Sequence, residues 1–375
     1  MPVNAGYEYG NAVRKFEEAR TDMEKLAALQ EMSQTVPKHK GTENLRKEIS
    51  RKIAKLKNDM DKQKIQAKKS GKGSSINIKK EGIGQIVLIG LPNSGKSFVL
   101  KKLTNVDVEV SDYAFTTTKP VQGMLDFKGA KIQLVECPAI IEGSSEGKAN
   151  GTQILSIIRN ADGIIIVLNS SNAEKEFLTI RKELEKVDIK LNDAKPKIEI
   201  TPSKFSGISI DGKKFLKIPE EQLKGFLKSL GMFNVNVILR QNTTLKEVAQ
   251  VMDERIAYRK ALIIVNNISE KKSFTLKPFK VFEFNEQNLQ KITEELFALL
   301  DKVLVYTKKP GEEAVYDEPL VLDKGATVAD VAKKLHKDFA QNLKYVRVWG
   351  SSKFSGQRVS KNYQLHNGDL IEIYA

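Results

Sequence analysis

Apolar residues recur at three- and four-residue steps twice near the start of the chain, at Val13, Phe16, Met23, Leu26, Leu29 and Met32 and again at Leu45, Ile49, Ile53, Leu56 and Met60. That period places each set on one face of a helix. Between them "TVPKHKGT" carries Pro37 and Gly41, which interrupt a helix, while Thr42 offers an N-cap to a second arm. The pattern predicts a helical hairpin over residues 1–68. Gly, Ser and Lys then dominate "KKSGKGSSINIKKEG" without any period, so residues 69–82 read as a connector.

Beyond the connector the pattern changes. Wholly apolar runs, "QIVLIG" (85–90), "KIQLVE" (131–136), "GIIIVLN" (163–169) and "ALIIVN" (261–266), alternate with helical stretches. Strands of that kind belong in a parallel sheet covered on both faces, so the fold class is α/β with three layers. About ninety residues separate Asn169 from Ala261, too many for one crossover. An α+β insert over residues 173–245 accounts for them, dividing the α/β domain into 83–172 and 246–301. Four further strand patterns around "ATVADVAKKLHKDF" predict a β-grasp module over 302–375, its helix opened by Thr327 and Asp330 at capping-box spacing. Tyr345 and Trp349 lie at apolar alternation in "YVRVW" and read as core residues in preference to a base-stacking surface.

Charge alters this picture in one place. The 375 residues carry 62 Lys and Arg against 47 Asp and Glu, a net +15. From Lys38 to Lys72 there are thirteen basic residues against four acidic ones, an excess of nine, so over half of the imbalance sits on the second arm and the connector. One-signed excess favours a polyanion through counterion release, so the segment reads equally well as an RNA-contacting surface or as a solvated helix face with a basic linker, and no DNA partner is expected. No apolar run approaches the roughly 18 residues of a membrane span, and the start lacks a secretory core. With one cysteine, Cys137, the chain reads as cytoplasmic, without internal disulfides or a Cys-rich metal site.

The chemistry concentrates at "GLPNSGKS", residues 90–97, which matches G-x-x-x-x-G-K-[ST] between an apolar strand and a helical stretch. In such a loop the backbone N–H groups cradle phosphates, Lys96 neutralises β and γ oxygens, and Ser97 offers its hydroxyl to Mg²⁺. Gly90, Asn93, Ser94, Gly95, Lys96, Ser97 and the adjoining Phe98 are the expected nucleotide-binding positions.

From that loop through "YAFTTT", "FKGAKIQLVE", "IIEG", "KELEKVDIKLN" and "YVRVWGSS", nearly the whole chain resembles the developmentally regulated GTP-binding protein family, relatives of Obg. The resemblance implies a Ras-like GTPase domain with an inserted α+β domain, preceded by a helical hairpin and followed by a TGS domain of β-grasp fold. It implies GTP and GDP as ligands with Mg²⁺, ribosome association in translation, and an accessory protein partner. By the same resemblance Thr116 or Thr117 is the switch threonine that senses Mg²⁺ and the γ-phosphate. Asn93 corresponds to the asparagine that helps potassium-stimulated GTPases to hold K⁺, although tying down the loop is an equally good role for it.

Two motifs depart from the family. Asp-x-x-Gly reads Glu136-Cys137-Pro138-Ala139. Glu136 keeps the metal-facing charge with one more methylene, and Ala139 keeps an N–H but adds a Cβ where glycine swings freely. Ile140 follows, as is normal for the Obg group. Asn-Lys-x-Asp reads Asn266-Asn267-Ile268-Ser269, which removes the carboxylate that reads guanine, and no Ser-Ala loop is visible in "KVFEFNEQN". Three readings therefore stand: a ribosome-associated guanine-nucleotide protein of slow hydrolysis, a scaffold that binds RNA without switching, and a P-loop NTPase of relaxed base choice.

Overall fold

The computed structural model describes residues 7–19, 21–37, 40–70, 78–104, 120–266, 276–314, 316–335 and 343–374. It divides into two compact units, 1–75 with 194–257 and 76–193 with 258–375.

The first unit begins with α1 (Tyr7–Glu18), α2 (Asp22–Thr35) and α3 (Glu43–Ser70). The expected hairpin is thus three helices, because its first arm breaks before Thr21. The Thr21 hydroxyl accepts from the Glu24 N–H at 3.1 Å, and the Glu24 carboxylate reaches back to the Thr21 N–H at 3.4 Å, a reciprocal cap that starts α2. Thr42 is buried, with its hydroxyl donating to the Pro37 carbonyl. On α3, Ile49 is buried in the helical cluster, while Arg46, Arg51 and Lys55 are exposed.

The second unit is built on β1 (Gln85–Ile89), α4 (Lys96–Thr104), β2 (Val121–Phe127), β3 (Ala130–Glu136), α5 (Gly151–Asn160), β4 (Gly163–Asn169), α6 (Ala173–Lys186) and β5 (Ile189–Leu191). The chain then leaves for β6 (Ile198–Pro202), β7 (Ile208–Asp211), α7 (Glu220–Ser229), β8 (Val235–Leu239) and α8 (Leu245–Met252), all in the first unit. It returns through β9 (Ala257–Asn266), β10 (Val281–Glu283) and α9 (Leu289–Leu299). The seven-stranded sheet runs β10-β9-β4-β1-β3-β2, with β5 beside β9. Only β2 is antiparallel to its neighbour along that path, consistent with the unbroken apolar runs of the others. Ile86 and Leu88 of β1 pack with Val99 and Leu100 of α4 and with Ile292 and Leu296 of α9.

The expected insert boundaries, 173 and 245, shift. α6 buries Phe177, Ile180 and Leu184, and the Asn192 side chain exchanges two hydrogen bonds with the Ala261 backbone at 2.8 and 2.9 Å, so the chain up to 193 belongs to the large sheet. At the other end Leu245, Val248 and Ala249 of α8 share a core with Leu223 and Phe226 of α7 and with Leu26 of α2, so the excursion closes near 257.

The C-terminal module consists of β11 (Lys302–Lys308), β12 (Leu320–Asp323), α10 (Val328–Leu335), β13 (Tyr345–Trp349), β14 (Gln357–Val359) and β15 (Asp369–Tyr374), in the sheet order β12-β11-β15-β13-β14. The Asp330 carboxylate accepts from the N–H and hydroxyl of Thr327 at 2.9 and 2.8 Å and so starts α10. Val328, Val331 and Ala332 of that helix are buried, the two valines in one core with Val303, Val305, Val346, Val348 and Ile371.

Tyr345 and Trp349 are not in that core. The two-residue period of β13 sends Val346 and Val348 inward and leaves Tyr345, Arg347 and Trp349 half-buried or exposed on the opposite face. There the Tyr345 and Tyr374 rings stack at 4.3 Å, the Arg358 guanidinium lies 3.6 Å over Tyr345, and the Lys308 ammonium lies 4.6 Å over Trp349. The sequence pattern identified an amphipathic strand and misassigned its faces, since aromatic and β-branched residues suit either side of a half-covered sheet.

Candidate functional site

β1 lies between β3 and β4, and the chain passes first to β3 on one side and later to β4 on the other. The crevice at the carboxyl end of β1 is therefore a topological switch point, where open α/β sheets bind ligands. Residues 90–95 turn there into α4. Two glycines are required by close approach: a Cβ on Gly90 would meet the Ser94 hydroxyl and the Val167 carbonyl at 2.5 Å, and one on Gly95, whose φ is +87°, would run into the Asn266 amide nitrogen. Asn93 is exposed at the loop tip with φ 59°. The Ser94 hydroxyl is buried without a hydrogen-bond partner among the described residues. α4 begins at Lys96, so its first-turn N–H groups have no intrahelical acceptors, and no acidic residue of the helix itself occupies that turn, so its positive end faces the loop.

Lys96 is buried and folds back over the loop, donating to the Gly90 and Leu91 carbonyls at 3.3 and 2.9 Å. Burial draws its ammonium below the usual lysine range, while Glu136, Cys137 and Glu176 pull the other way. A buried cation resting on two neutral carbonyls is poised to exchange them for an anion.

Glu136 ends β3 in register with Leu88 and is 1% exposed. Its Oε1 accepts from the Ser97 hydroxyl at 2.7 Å. The extra methylene therefore leaves the carboxylate against the serine in the first turn of α4. A hydroxyl beside a carboxylate is a hard-oxygen pair suited to Mg²⁺, which usually takes one or two protein oxygens and completes its shell with phosphates and water. The residues present fit that ion.

The chain leaving β3 is held closely. The Cys137 N–H donates to Leu88 and the Ile140 N–H to Gly90, at 3.0 and 3.1 Å, and Ile140 is fully buried. Burial pushes the Cys137 thiol up to about 12, which keeps it an inert thiol. Ala139 is half-buried with a negative φ, so its Cβ introduces no left-handed strain in this conformation. The next turn is fastened to α6 by Glu183, whose carboxylate accepts from the N–H and hydroxyl of Ser145 at 2.8 and 2.6 Å and pairs with Lys186 at 3.2 Å. Burial alone would raise that carboxyl, but Ser145, the Gly143 N–H and Lys186 outweigh it and hold it down at about 2. Sequence reasoning missed Glu183. The signal was an acid sharing the buried face of α6 with Ile180 and Leu184.

At the other end of the crevice Asn266, the last residue of β9, is buried and its side-chain amide donates to the Gly95 carbonyl at 3.4 Å. Thr116, Thr117, Asn267 and Ser269 lie outside the described residues. The structure thus brings Gly90, Asn93, Ser94, Gly95, Lys96, Ser97, Glu136 and Asn266 around one loop, with Ala139 just past Glu136. Phe98 follows on α4, 41% exposed, and meets Phe284 edge to face at 5.6 Å.

Residues 85–201 match the family described as 50S ribosome-binding GTPase, and residues 303–375 match the TGS domain. An uncharacterized GTP-binding protein of Methanocaldococcus jannaschii is 34% identical over 364 residues, covering 93% of this chain and 92% of that protein. Developmentally-regulated GTP-binding protein 2 of Homo sapiens is 32% identical over 360 residues, covering 94% and 98%. Among solved structures, the YchF GTPase of Schizosaccharomyces pombe aligns over 79% of this chain and 99% of its own, at 12% identity and a TM-score of 0.43.

Proposed function

The chain belongs to the developmentally regulated GTP-binding protein family, and from that premise we propose that it binds GTP and GDP with Mg²⁺ at the carboxyl end of β1 and acts on the ribosome or its RNA. The observation that carries the nucleotide reading is the contact between Ser97 and Glu136 beside an intact phosphate loop. On this reading the loop N–H groups and the start of α4 hold the phosphates, and Lys96 leaves its two carbonyls for β and γ oxygens. Ser97 and Glu136 would hold Mg²⁺, which when bound supplies neutralisation of phosphate charge. Asn93, exposed at the loop tip, is the residue available to a K⁺ ion.

Hydrolysis is slow on this reading. Ala139 stands where the family pattern has the glycine whose N–H swings toward the γ-phosphate, and the Glu183 contacts restrain the turn beyond it. Titration calorimetry of nucleotide-stripped protein with GDP and a non-hydrolysable GTP analogue in Mg²⁺ tests the proposal: micromolar binding supports it, and no heat with either ligand rejects it. Equal turnover in K⁺ and Na⁺ would remove K⁺ from it.

RNA contact has separate support. Arg46, Arg51 and Lys55 are exposed along α3, and Arg347 and Arg358 are exposed on the outer face of the β-grasp sheet beside the stacked Tyr345 and Tyr374. Cations interleaved with aromatic rings suit the phosphates and bases of single-stranded RNA. Co-sedimentation with ribosomes over a salt series tests this part.

A further inference from the structure

Ser97 and Glu136 mark the β3 side of the crevice, and the strand order puts β9 and β10 on the other side of β1. A nucleotide whose terminal phosphates lie by Ser97 and Glu136 therefore runs its nucleoside across the start of α4 toward the carboxyl ends of β9 and β10. Asn266, at the end of β9 and within reach of the Gly95 carbonyl, lies along that path.

Two rings converge there. Phe98 is the third residue of α4 and 41% exposed, in the same first turn as buried Lys96. Phe284 directly follows β10, and its N–H donates to the Val265 carbonyl at 3.0 Å, fixing it one residue from Asn266. The ring centroids are 5.6 Å apart with planes at 81°. An edge-to-face pair does not cover both faces of its rings, so a planar group can still stack against it. Solvent exposure of so large an apolar ring forfeits burial energy, and a purine is an occupant of matching shape.

We infer that Phe98 and Phe284 form a stacking site for the nucleobase, through which the base is held by its π face and its edges are read weakly. The inference rests on the nucleotide-binding reading above and adds the means of base recognition. Every purine offers the same kind of face, whereas guanine is told from adenine by its hydrogen-bonding edge. The sequence carries Ser269 at the position where the family pattern has the edge-reading aspartate. Guanine and adenine nucleotides should then bind within about tenfold of each other, since stacking is tolerant of base identity.

The test measures GDP, ADP and inorganic tripolyphosphate binding to nucleotide-stripped full-length protein in Mg²⁺, for wild type and for Phe98→Ala, Phe98→Leu, Phe284→Ala and Phe98→Trp. Either alanine variant should lose roughly tenfold in affinity for GDP and ADP alike while tripolyphosphate binding holds. Phe98→Leu preserves apolar bulk without a π system and should show much of the same loss, which keeps the test open if Phe98→Ala unfolds. In Phe98→Trp, nucleotide but not tripolyphosphate should quench fluorescence beyond any change in the wild type, whose sole tryptophan is Trp349. Unchanged nucleotide affinity in the alanine and leucine variants overturns the inference, as does a wild type that prefers GDP to ADP by a thousandfold. Tripolyphosphate binding without nucleotide binding overturns it while leaving the phosphate site standing; failure to bind any of the three probes rejects the nucleotide reading and the inference together.

Discussion

The Ser97 hydroxyl lies 2.7 Å from a carboxylate oxygen of Glu136, across the junction between the phosphate loop helix and the strand beside it. Replacing the family's aspartate with glutamate has therefore not pulled the acid away from the serine. The longer side chain lies in a fully enclosed position, next to β1 and close enough to Lys96 to oppose the lowering of its pKa. The site keeps its acid and its hydroxyl together.

Glu136→Gln preserves the shape and a hydrogen-bond acceptor for Ser97 but removes the charge. Nucleotide binding in excess Mg²⁺ is expected to weaken by about tenfold or more, the range seen when groups supporting a metal are lost, while binding in EDTA changes little. Titrations of both proteins with and without Mg²⁺ decide it. Equal losses in the two conditions would mean that Glu136 serves the fold and not the ion.

Glu183 offers a pH-dependent stability test. Its carboxyl is held at about 2 in the folded chain against an ordinary 4.5, so its stabilisation is complete above pH 4.5 and is lost as pH falls from 4.5 toward 2. Glu183→Gln should cost about 2 kcal/mol near neutral pH, the scale for hydrogen bonds to a buried charge. Denaturant melts at pH 7 and pH 3 should show the gap between variant and wild type shrinking at the lower pH. A constant gap would assign the loss to packing.

Restoring the family's base-reading residues with Asn267→Lys and Ser269→Asp should raise affinity for GDP, and its preference over ADP, by about tenfold or more, since one charge-assisted hydrogen bond contributes roughly 1.5–3 kcal/mol. Competition binding with the two nucleotides measures this. No gain in selectivity would place the base edge elsewhere.

For RNA contact, the triple variant Arg51→Glu, Lys52→Glu and Lys55→Glu should reduce ribosome co-sedimentation and flatten its salt dependence, because each phosphate contact contributes to the slope. Lys52 already pairs with Glu48 at 2.8 Å, so Arg51 and Lys55 should carry most of the effect. Tyr345→Ala, on the β-grasp face, should weaken binding with the salt slope kept, since stacking releases no counterions. If all four changes leave sedimentation unaltered, both surfaces are ordinary solvated faces.

Much of this protein was legible in its sequence. The period of apolar residues identified the helices, the buried parallel strands and the β-grasp module, since backbone geometry fixes which neighbours share a face. The phosphate loop was equally clear, because Gly90, Gly95, Lys96 and Ser97 stand at fixed spacing between an apolar strand and a helix start, although the Val167 and Asn266 atoms that crowd the two glycines come from distant strands. What the sequence left open were relationships between residues distant along the chain. Only the pairing of β1 with β3 brings Glu136 to Ser97, only the packing of α6 sets Glu183 under Ser145, and only the return of the chain through β9 and β10 carries Phe284 to Phe98. The same holds for the insert boundaries and for the outward face of Tyr345 and Trp349, because periodicity defines two faces of an element and tertiary packing chooses which one is buried.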